Sequence, residues 1–412
     1  MHPLDVIIYA VASIGHAALW ITAVNHLQAR AIPRAILETI CWPMRLCSIM
    51  GPLALVMAAT RYDLSLVERT ELATYPWGLL FYVGLCLVIA LIFVPRWIVW
   101  AIPHQRRQVN DAQDRATRDL SHLAEPPPRS LKARVLLSLP GNQSLHLETT
   151  HKSIFLPRLA PELDGLTIAH LSDVHITGDI ACAWYDAAID MTNELQADLI
   201  VLSGDLVEEA ACWPWLRRTL GRLHAEQGVY YVLGNHDTRI DIARTRKELD
   251  DCGLIDLGTH ARSIAVRDSR VLLTGNELPW IKRADDRELS YPWQGVECDE
   301  SALRIGVAHS PDQFAWARQH GIDLLLAGHT HGGQIRIPGL GAIVSPSRFG
   351  ARYCCGTYYE SPTVMHVSRG LAGDTPIRWN CPPELTRLVL RSRVRRQVDE
   401  SSALGNHAPL AV

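Results

Sequence analysis

The sequence predicts a layered α/β domain preceded by a transmembrane helical region, and two observations lead to this prediction. Residues 1–103 hold only 11 of the 83 charged side chains in the 412-residue chain. In the remainder, short apolar runs alternate with helical patterns, as in layered α/β architectures. The hydrophobic fraction of 48% excludes a disordered chain, and the net charge of −3 gives no reason to expect nucleic acid as a partner.

Two segments of the first quarter are long and apolar enough to cross a bilayer. Val6–Val24 and Trp77–Val94 carry no formal charge, and about 20 apolar residues are needed to span the hydrocarbon. A third segment, from Ile36 to Thr60, is a weaker candidate because Arg45 lies within it, and a central Arg costs about 2.5–3.5 kcal/mol on insertion scales. The sequence therefore predicts a transmembrane region, residues 1–103, with two or three spans.

Basic residues predict how the chain faces the membrane. The loop from Arg61 to Tyr75 has two Arg among three acids. By contrast, a run of basic residues begins at the end of the last span: Arg96, Arg106, Arg107, Arg115, Arg118, Arg129, Lys132 and Arg134. The positive-inside rule therefore places the later residues in the cytoplasm, as part of a multi-pass protein of the inner membrane. The cysteines show no CxxC spacing, which favours thiols in a reducing compartment.

After residue 103 the pattern predicts three parts. Residues 104–133 are expected to be a juxtamembrane helix and linker, because this segment is polar and contains Pro126-Pro127-Pro128. Residues 134–392 form the α/β domain and begin with a predicted hairpin, in which Arg134–Leu139 and Leu145–Leu156 flank a Pro-Gly-Asn turn. The tail, residues 393–412, has no periodicity and is expected to be disordered.

Five short apolar runs of this domain are each followed by residues that bind metal ions. The runs are Leu166–Leu171, Leu199–Leu202, Val229–Leu233, Leu303–Ala308 and Leu324–Ala327. The side chains that follow them are Asp173, His175, Asp205, Asn235, His236, His309, His329 and His331. Ligand sites in open α/β sheets form at the carboxyl ends of strands. Seven or eight such donors exceed the needs of one transition metal, so the pattern predicts two ions that share a bridging carboxylate.

Each of these signals is weak alone, since a single His after a strand is more often a hydrogen-bonded structural residue than a ligand. Their order along the chain is more informative. The series Asp173-Val174-His175, Gly204-Asp205, Gly234-Asn235-His236-Asp237, His309 and Gly328-His329-Thr330-His331 resembles the calcineurin-like metallophosphoesterase superfamily. Flanking residues resemble its membrane-associated bacterial branch, which includes UDP-2,3-diacylglucosamine pyrophosphatases. The resemblance runs from about Leu166 to Leu390 and implies an αββα sandwich within the catalytic domain, residues 134–392.

The resemblance also implies a role for each motif residue. Asp173, His175, Asp205 and His331 would surround one metal, and Asp205, Asn235, His309 and His329 the second. His236 would stabilise the transition state or protonate the leaving oxygen, and Asp237 would orient His236. Two divalent ions would activate a hydroxide for attack on phosphorus. Manganese is the expected metal, and iron, zinc and cobalt suit the same donors.

Basic and aromatic residues near the motifs are candidates for holding the substrate. Arg239, Arg348 and Arg352 are predicted to bind a second phosphate, with Arg244 and Arg246 as further candidates and solvated surface positions as the alternative for each. Trp213 and Trp215 could line an acyl or base pocket or simply pack in the core. Arg369 and Arg378 are expected to close the C-terminal strands over the site.

These observations predict a membrane-anchored hydrolase that acts on a phosphodiester or pyrophosphate bond. Anchoring favours a lipid-linked substrate such as UDP-2,3-diacylglucosamine, with membrane lipid as a partner. Two alternatives stay open. One is a non-catalytic metal-binding membrane receptor on the same fold. The other is a phosphomonoesterase for soluble substrates or phosphoproteins. The oligomeric state is not predicted.

Overall fold

The computed structural model describes residues 2–61, 77–101, 110–123, 129–282, 293 and 301–392. The chain divides into two compact units. The helical unit comprises residues 1–103 and 346–352, and the α/β unit comprises residues 104–345 and 353–412. The tail that was predicted to be disordered, residues 393–412, lies outside the described residues.

The helical unit contains three helices that are long and apolar enough to cross a membrane: α1 (Pro3–Gln28), α2 (Arg34–Arg61) and α3 (Trp77–Ala101). The weaker predicted span is therefore a helix of the same kind as the other two. Arg45 within it lies 3.2 Å from Glu38, so its charge has a partner on the same helix. This composition confirms the predicted N-terminal helical region.

The α/β unit is built on two main sheets. The first has seven strands in the order β1-β2-β15-β3-β4-β5-β6, and the second has six in the order β13-β14-β10-β9-β8-β7. The first sheet comprises β1 (Asn110–Asp119), β2 (His146–Leu156), β3 (Thr167–Leu171), β4 (Leu199–Ser203), β5 (Val229–Val232), β6 (Ile255–Asp256) and β15 (Glu384–Ser392). The second comprises β7 (Arg262–Val266), β8 (Ser269–Asn276), β9 (Leu303–Ala308), β10 (Leu324–Ala327), β13 (Gly356–Glu360) and β14 (Thr363–Val367). A small hairpin is formed by β11 (Arg336–Ile337) and β12 (Gly341–Ala342).

Helices cover the sheets on the outside. They are α4 (Leu131–Leu137), α5 (Cys182–Glu194), α6 (Trp213–Arg218), α7 (Ile242–Asp250) and α8 (Phe314–Gln319). Buried side chains alternate along the strands: Ile168 joins the cluster between the two sheets, whereas Ala169 joins the cluster under α5 and α6. Each fully buried Leu or Ile contributes about 1.5–3 kcal/mol to folding. The alternation confirms the predicted layered α/β fold.

Two predicted elements differ from the structure. The segment Arg134–Leu139 does not form a hairpin strand but lies in α4 and the turn after it, because Ser130 caps the helix by accepting from Ala133 N–H and the residues that follow are strong helix formers. Residues 110–119, expected to be part of a juxtamembrane helix, form the edge strand β1, which pairs antiparallel with β2. Pairing with a distant strand overrides the local helical preference of this polar segment.

Candidate metal centre

The topology brings the predicted donors to one edge of the molecule. Strands β3, β4 and β5 are parallel neighbours in the first sheet, and β9 and β10 are parallel neighbours in the second. Each donor follows the carboxyl end of one of these strands, where parallel strands place their loops together. The same two sheets pack face to face through a shared core. The five motifs therefore converge from both sheets.

Most of the predicted ligands have an unusual backbone conformation. Asp173, His175, Asp205, His329 and His331 have φ values of 51°, 47°, 54°, 69° and 50°. Left-handed conformations of residues other than glycine cost on the order of 1–3 kcal/mol and persist only where the surroundings enforce them. Such strain is typical of functional sites, and here it turns each side chain toward the same point.

Two glycines are required by the closeness of these loops. A Cβ atom on Gly234 would lie 2.2 Å from Asp205 Oδ1. A Cβ atom on Gly328 would lie 2.5 Å from Ser172 Oγ and 2.6 Å from Asp173 Oδ2. Because no other residue lacks a Cβ atom, only glycine lets the backbone pass this close to the two carboxylates.

A first group of donors consists of Asp173, His175, Asp205 and His331, whose donor atoms all lie within 4.8 Å of one another. His175 Nε2 is 3.5 Å from Asp205 Oδ2 and 3.3 Å from His331 Nε2. His331 Nε2 is 3.5 Å from Asp173 Oδ1. These are the four residues assigned to one metal on the basis of the family resemblance.

A second group consists of Asp205, His309 and His329, and it shares Asp205 with the first. His309 Nε2 lies 3.1 Å from Asp205 Oδ2, 3.0 Å from Asn235 Oδ1 and 3.1 Å from His329 Nδ1. Asn235 thus adjoins this group through its side-chain oxygen. The structure brings together all seven predicted ligands, with Asp205 between the two groups.

The donors fit divalent metal ions. His329 Nε2 is buried and has no hydrogen-bond partner among the described residues, and the buried Asp205 Oδ2 faces the imidazole nitrogens of His309 at 3.1 Å and His175 at 3.5 Å. Buried polar atoms nearly always have a partner, so a buried nitrogen without one, next to a carboxylate oxygen that faces further imidazoles, fits a site for a cation. Imidazole nitrogen, carboxylate and amide oxygen together suit first-row transition metals. The geometry does not distinguish among those metals.

Burial and charge prepare the site for a cation. Burial lowers the pKa of His175 to about 4 and the pKa values of His329 and His331 to about 3, so these rings are neutral at pH 7 and present lone pairs. Burial also disfavours the charged form of His309, but the Asp205 carboxylate outweighs it and raises the pKa of His309 to about 9. The neighbouring imidazoles hold the pKa of Asp205 well below its usual range despite burial.

Glu208 is a site residue that the sequence analysis missed. Its buried carboxylate accepts a hydrogen bond from His175 Nδ1, lies 3.0 Å from His236 Nδ1 and pairs with Arg239. A carboxylate on Nδ1 fixes the tautomer of His175, so that Nε2 faces the first donor group. His175, Glu208 and His236 also form a third potential metal group. Because the Glu208 carboxylate already contacts His175, His236 and Arg239, we assign it the role of orienting these side chains and not that of a metal ligand.

His236 and Asp237 differ in their exposure to solvent and in the groups they contact. His236 is partly exposed, and its Nε2 lies 4.0 Å from Asp205 Oδ2. Asp237 is fully buried and accepts from the backbone N–H groups of Leu206, Val207 and Gly234. The prediction that Asp237 orients His236 is therefore corrected. The Asp237 carboxylate joins two motif loops through their backbone N–H groups, and the carboxylate beside the His236 ring is that of Glu208. Burial and the Asp205 charge raise the pKa of Asp237 to about 6.

The arginines predicted to bind substrate are in different situations. Arg239 lies at the centre, with Nη2 3.3 Å from His236 Nε2 and Nη1 3.3 Å from Asp374. Arg246 forms salt bridges with Asp256 and Glu277, and these contacts do not support a role for it as a phosphate ligand. Arg348 and Arg352 belong to residues 346–352, which are part of the helical unit. Their substrate-binding role stays a prediction.

The aromatic and C-terminal candidates are mostly structural. Trp213 is buried in the core, where Nε1 donates to Thr245. Arg378 is buried and donates to carbonyl groups of the loop that includes Arg369. The aromatic residue at the centre is instead Trp280, whose ring lies 4.8 Å from that of His329 and 5.6 Å from that of His309, centroid to centroid. No motif indicated Trp280.

A series of hydrogen bonds between buried polar side chains connects the two sheets to the metal centre. Lys152 Nζ donates to Glu384 at 2.7 Å and to His366 Nε2 at 3.1 Å. With Nε2 of His366 accepting, its Nδ1 donates to Nδ1 of His170 at 2.9 Å, and His170 Nε2 donates to Ser203 Oγ at 2.9 Å. Burial and the nearby lysine lower the pKa of His170 to about 3. This series of hydrogen bonds links both sheets to the loop that carries Asp205.

Comparison with known proteins finds similar sequences over the part of the chain that carries this centre. Residues 166–333 match the sequence profile described as calcineurin-like phosphoesterase. The metallophosphoesterase YkuE of Bacillus subtilis is 29% identical over 258 residues, which cover 60% of this chain and 86% of that protein. Phosphodiesterase YaeI of Escherichia coli is 28% identical over 228 residues, which cover 54% of this chain and 81% of that protein.

A third relative resembles nearly the whole chain, including the helical region. This is the transmembrane protein with metallophosphoesterase domain of Bos taurus, which is 25% identical over 410 residues. The alignment covers 92% of this chain and 87% of that protein. The profile match and these relatives make the α/β unit of this chain similar to calcineurin-like metallophosphoesterases.

Proposed function

We propose that the chain is a membrane-anchored phosphoesterase that uses two divalent metal ions to hydrolyse a phosphodiester or pyrophosphate bond of a lipid-linked substrate. The observation that carries this proposal is the sharing of Asp205 by two donor groups. Its buried Oδ2 faces both groups, at 3.5 Å from His175 Nε2 in the first and 3.1 Å from His309 Nε2 in the second.

The chain's own residues supply positioning and proton transfer. The neutral rings of His175, His329 and His331, together with the carboxylates of Asp173 and Asp205, would hold the two ions. The chemistry that the ions would supply there is charge stabilisation at the phosphoryl group and a hydroxide at neutral pH. His236, partly exposed beside Asp205, gives a proton to the leaving oxygen. Glu208 orients the His236 ring, since its carboxylate lies 3.0 Å from His236 Nδ1.

The lipid-linked substrate is inferred from anchoring. The three apolar helices and the similarity to a transmembrane metallophosphoesterase support attachment to a membrane. A lipid headgroup phosphate is the substrate class that such an enzyme meets at highest local concentration. The Arg-rich stretch after the third helix supports a cytoplasmic orientation at the inner membrane. The motifs resemble the membrane-associated bacterial branch that includes UDP-2,3-diacylglucosamine pyrophosphatases, so that lipid is the first substrate to test.

The test is hydrolysis by the detergent-purified full chain with Mn²⁺ or chelator. Substrates are UDP-2,3-diacylglucosamine, bis-p-nitrophenyl phosphate and p-nitrophenyl phosphate. The variants are Asp205→Ala and His236→Ala, with Asp190→Ala as a matched control because Asp190 is an exposed carboxylate that pairs with Arg222 away from the motifs. We expect metal-dependent release of UMP that is lost in the first two variants and retained in the control.

The other outcomes separate the alternatives. Turnover of the artificial diester alone would keep the mechanism and reject this lipid. Turnover of p-nitrophenyl phosphate alone would favour a phosphomonoesterase of soluble substrates. Metal binding without turnover of any substrate would contradict the proposal and favour a non-catalytic receptor.

A further inference from the structure

The α/β unit exposes a concentrated set of apolar side chains. Among its described residues, seven large apolar side chains are exposed, and we call them the apolar rim: Leu131, Val135, Ile335, Ile337, Leu340, Ile343 and Val344. Five of them lie within the ten residues around the β11–β12 hairpin, and two lie one turn apart on α4. Scattered exposed apolar residues are normal, whereas a cluster marks an interaction surface.

The two parts of the rim pack on one segment of the chain, residues 375–380. From α4, Lys132 Nζ donates to a hydroxyl of this segment at 3.0 Å. Asn142 Nδ2 donates both to a carbonyl of α4 at 2.8 Å and to a carbonyl of the segment at 2.9 Å. From the hairpin, Arg336 N–H donates to a carbonyl of the same segment at 2.9 Å. The seven side chains therefore belong to one surface region.

This region borders the metal centre. The hairpin begins a few residues after His331, one of the first-group donors. Gln334 Nε2 donates to the Thr375 carbonyl at 3.0 Å, and His331 Nδ1 lies 3.1 Å from the Ala372 carbonyl. The same loop thus carries a metal-ligand candidate at one end and the apolar rim at the other.

The two segments that carry the rim contain basic and no acidic residues. Residues 331–345, which include the hairpin, contain Arg336 and no Asp, Glu or Lys. Residues 129–147 contain Arg129, Lys132 and Arg134 and no acid. An apolar surface flanked by basic residues is typical of elements that lie at the surface of an anionic bilayer, where apolar side chains enter the acyl boundary and cations contact headgroups.

We propose that the apolar rim docks on the surface of the lipid bilayer and holds the edge with His331 at the level of the headgroups. The bilayer is the occupant we infer because the chain itself has three helices able to span one, so that this surface is always available. The proposal rests on the membrane attachment included in the proposed function and extends it, since it gives a lipid-linked phosphate a route to the metal centre.

The first test needs no substrate. The photoreactive residue p-benzoylphenylalanine replaces Leu340 in the full chain, which is placed in nanodiscs of phosphatidylethanolamine and phosphatidylglycerol. Lys247, an exposed side chain on α7, is the control position. After irradiation, intact-mass analysis should show lipid adducts at Leu340 about tenfold above those at Lys247. Equal yields, or cross-links to a second copy of the chain, would overturn the proposal.

A second test uses activity. In the double variant Ile337→Ser with Leu340→Ser both replaced side chains are exposed, so the fold should be kept. We expect hydrolysis of the lipid substrate to fall on the order of tenfold, while turnover of bis-p-nitrophenyl phosphate is unchanged. An equal loss on both substrates would mean that the hairpin supports the metal loop and does not bind lipid. If the chain hydrolyses neither substrate, the proposed function fails while the cross-linking result still decides the docking surface.

Discussion

Replacing Glu208 gives the sharpest prediction about the centre, because one carboxylate contacts three side chains of the site. Its oxygens hold His175 Nδ1, His236 Nδ1 and Arg239. Alanine removes all three contacts. Glutamine keeps one oxygen that can accept from His175, but its amide group faces other donors. Losing a partner that orients a metal ligand typically costs 10–100-fold in metal affinity or activity. We therefore expect about 100-fold for Glu208→Ala and on the order of tenfold for Glu208→Gln.

The loss should appear in function more than in stability. The Nδ1–H group of His175 would be buried without a partner, which costs about 1–3 kcal/mol. The Arg239 side chain is 21% exposed and lies 3.3 Å from the Asp374 carboxylate, so its charge still has a partner in the variant. The variant should fold while binding metal weakly.

The assay is Mn²⁺ titration of turnover together with calorimetric measurement of the metal Kd. Glu209→Ala and Glu209→Gln are the matched controls, because Glu209 is the next residue and is exposed. If Glu208→Ala and Glu209→Ala have the same metal Kd and kcat within about twofold, Glu208 does not orient the ligands and the reasoning is refuted.

Three further predictions follow from other parts of the site. Gly234→Ala places a Cβ atom 2.2 Å from an oxygen of the shared carboxylate, so metal content measured by mass spectrometry should fall below one ion per chain. Burial lowers the pKa values of His170 (to about 3) and His366 below the unfolded value. The unfolded state therefore takes up more protons, and stability of the metal-free protein should fall by about 1.4 kcal/mol per pH unit and per group below pH ~6.5. Thermal unfolding at pH 7.5 and 5.5 checks this, and an unchanged midpoint would contradict it. Trp280→Ala should weaken metal binding about tenfold by loosening the imidazoles it covers, whereas Trp316→Ala should not.

The sequence predicts which donor side chains come together, because each of them follows a strand that is recognisable locally. Runs such as Leu199–Leu202 are continuously apolar, as expected for strands buried on both faces, and the polar residues after them mark the strand ends. Once five such ends are identified, the rule that ligands gather at carboxyl ends brings the donors together. No tertiary information is needed for that step.

The features that the sequence did not predict depend on distant contacts. Residues 110–119 become a strand only because β2 offers an edge to pair with. The sequence analysis misses Glu208 and assigns Asp237 a different partner. Only the folded loops decide that the Glu208 carboxylate reaches an imidazole and that the Asp237 carboxylate reaches backbone N–H groups. Trp280 follows β8, a strand without a flanking motif, so nothing local marked it.

The most direct measurement of the central claim is the number of metal ions bound by the full chain. Equilibrium dialysis against Mn²⁺, followed by mass spectrometric metal analysis, is compared between the wild type and Asp205→Ala. The sharing of Asp205 between two donor groups predicts two ions per chain in the wild type and a loss of both high-affinity sites in the variant. A single ion in the wild type, or two ions that persist without the Asp205 carboxylate, would contradict the shared-carboxylate centre.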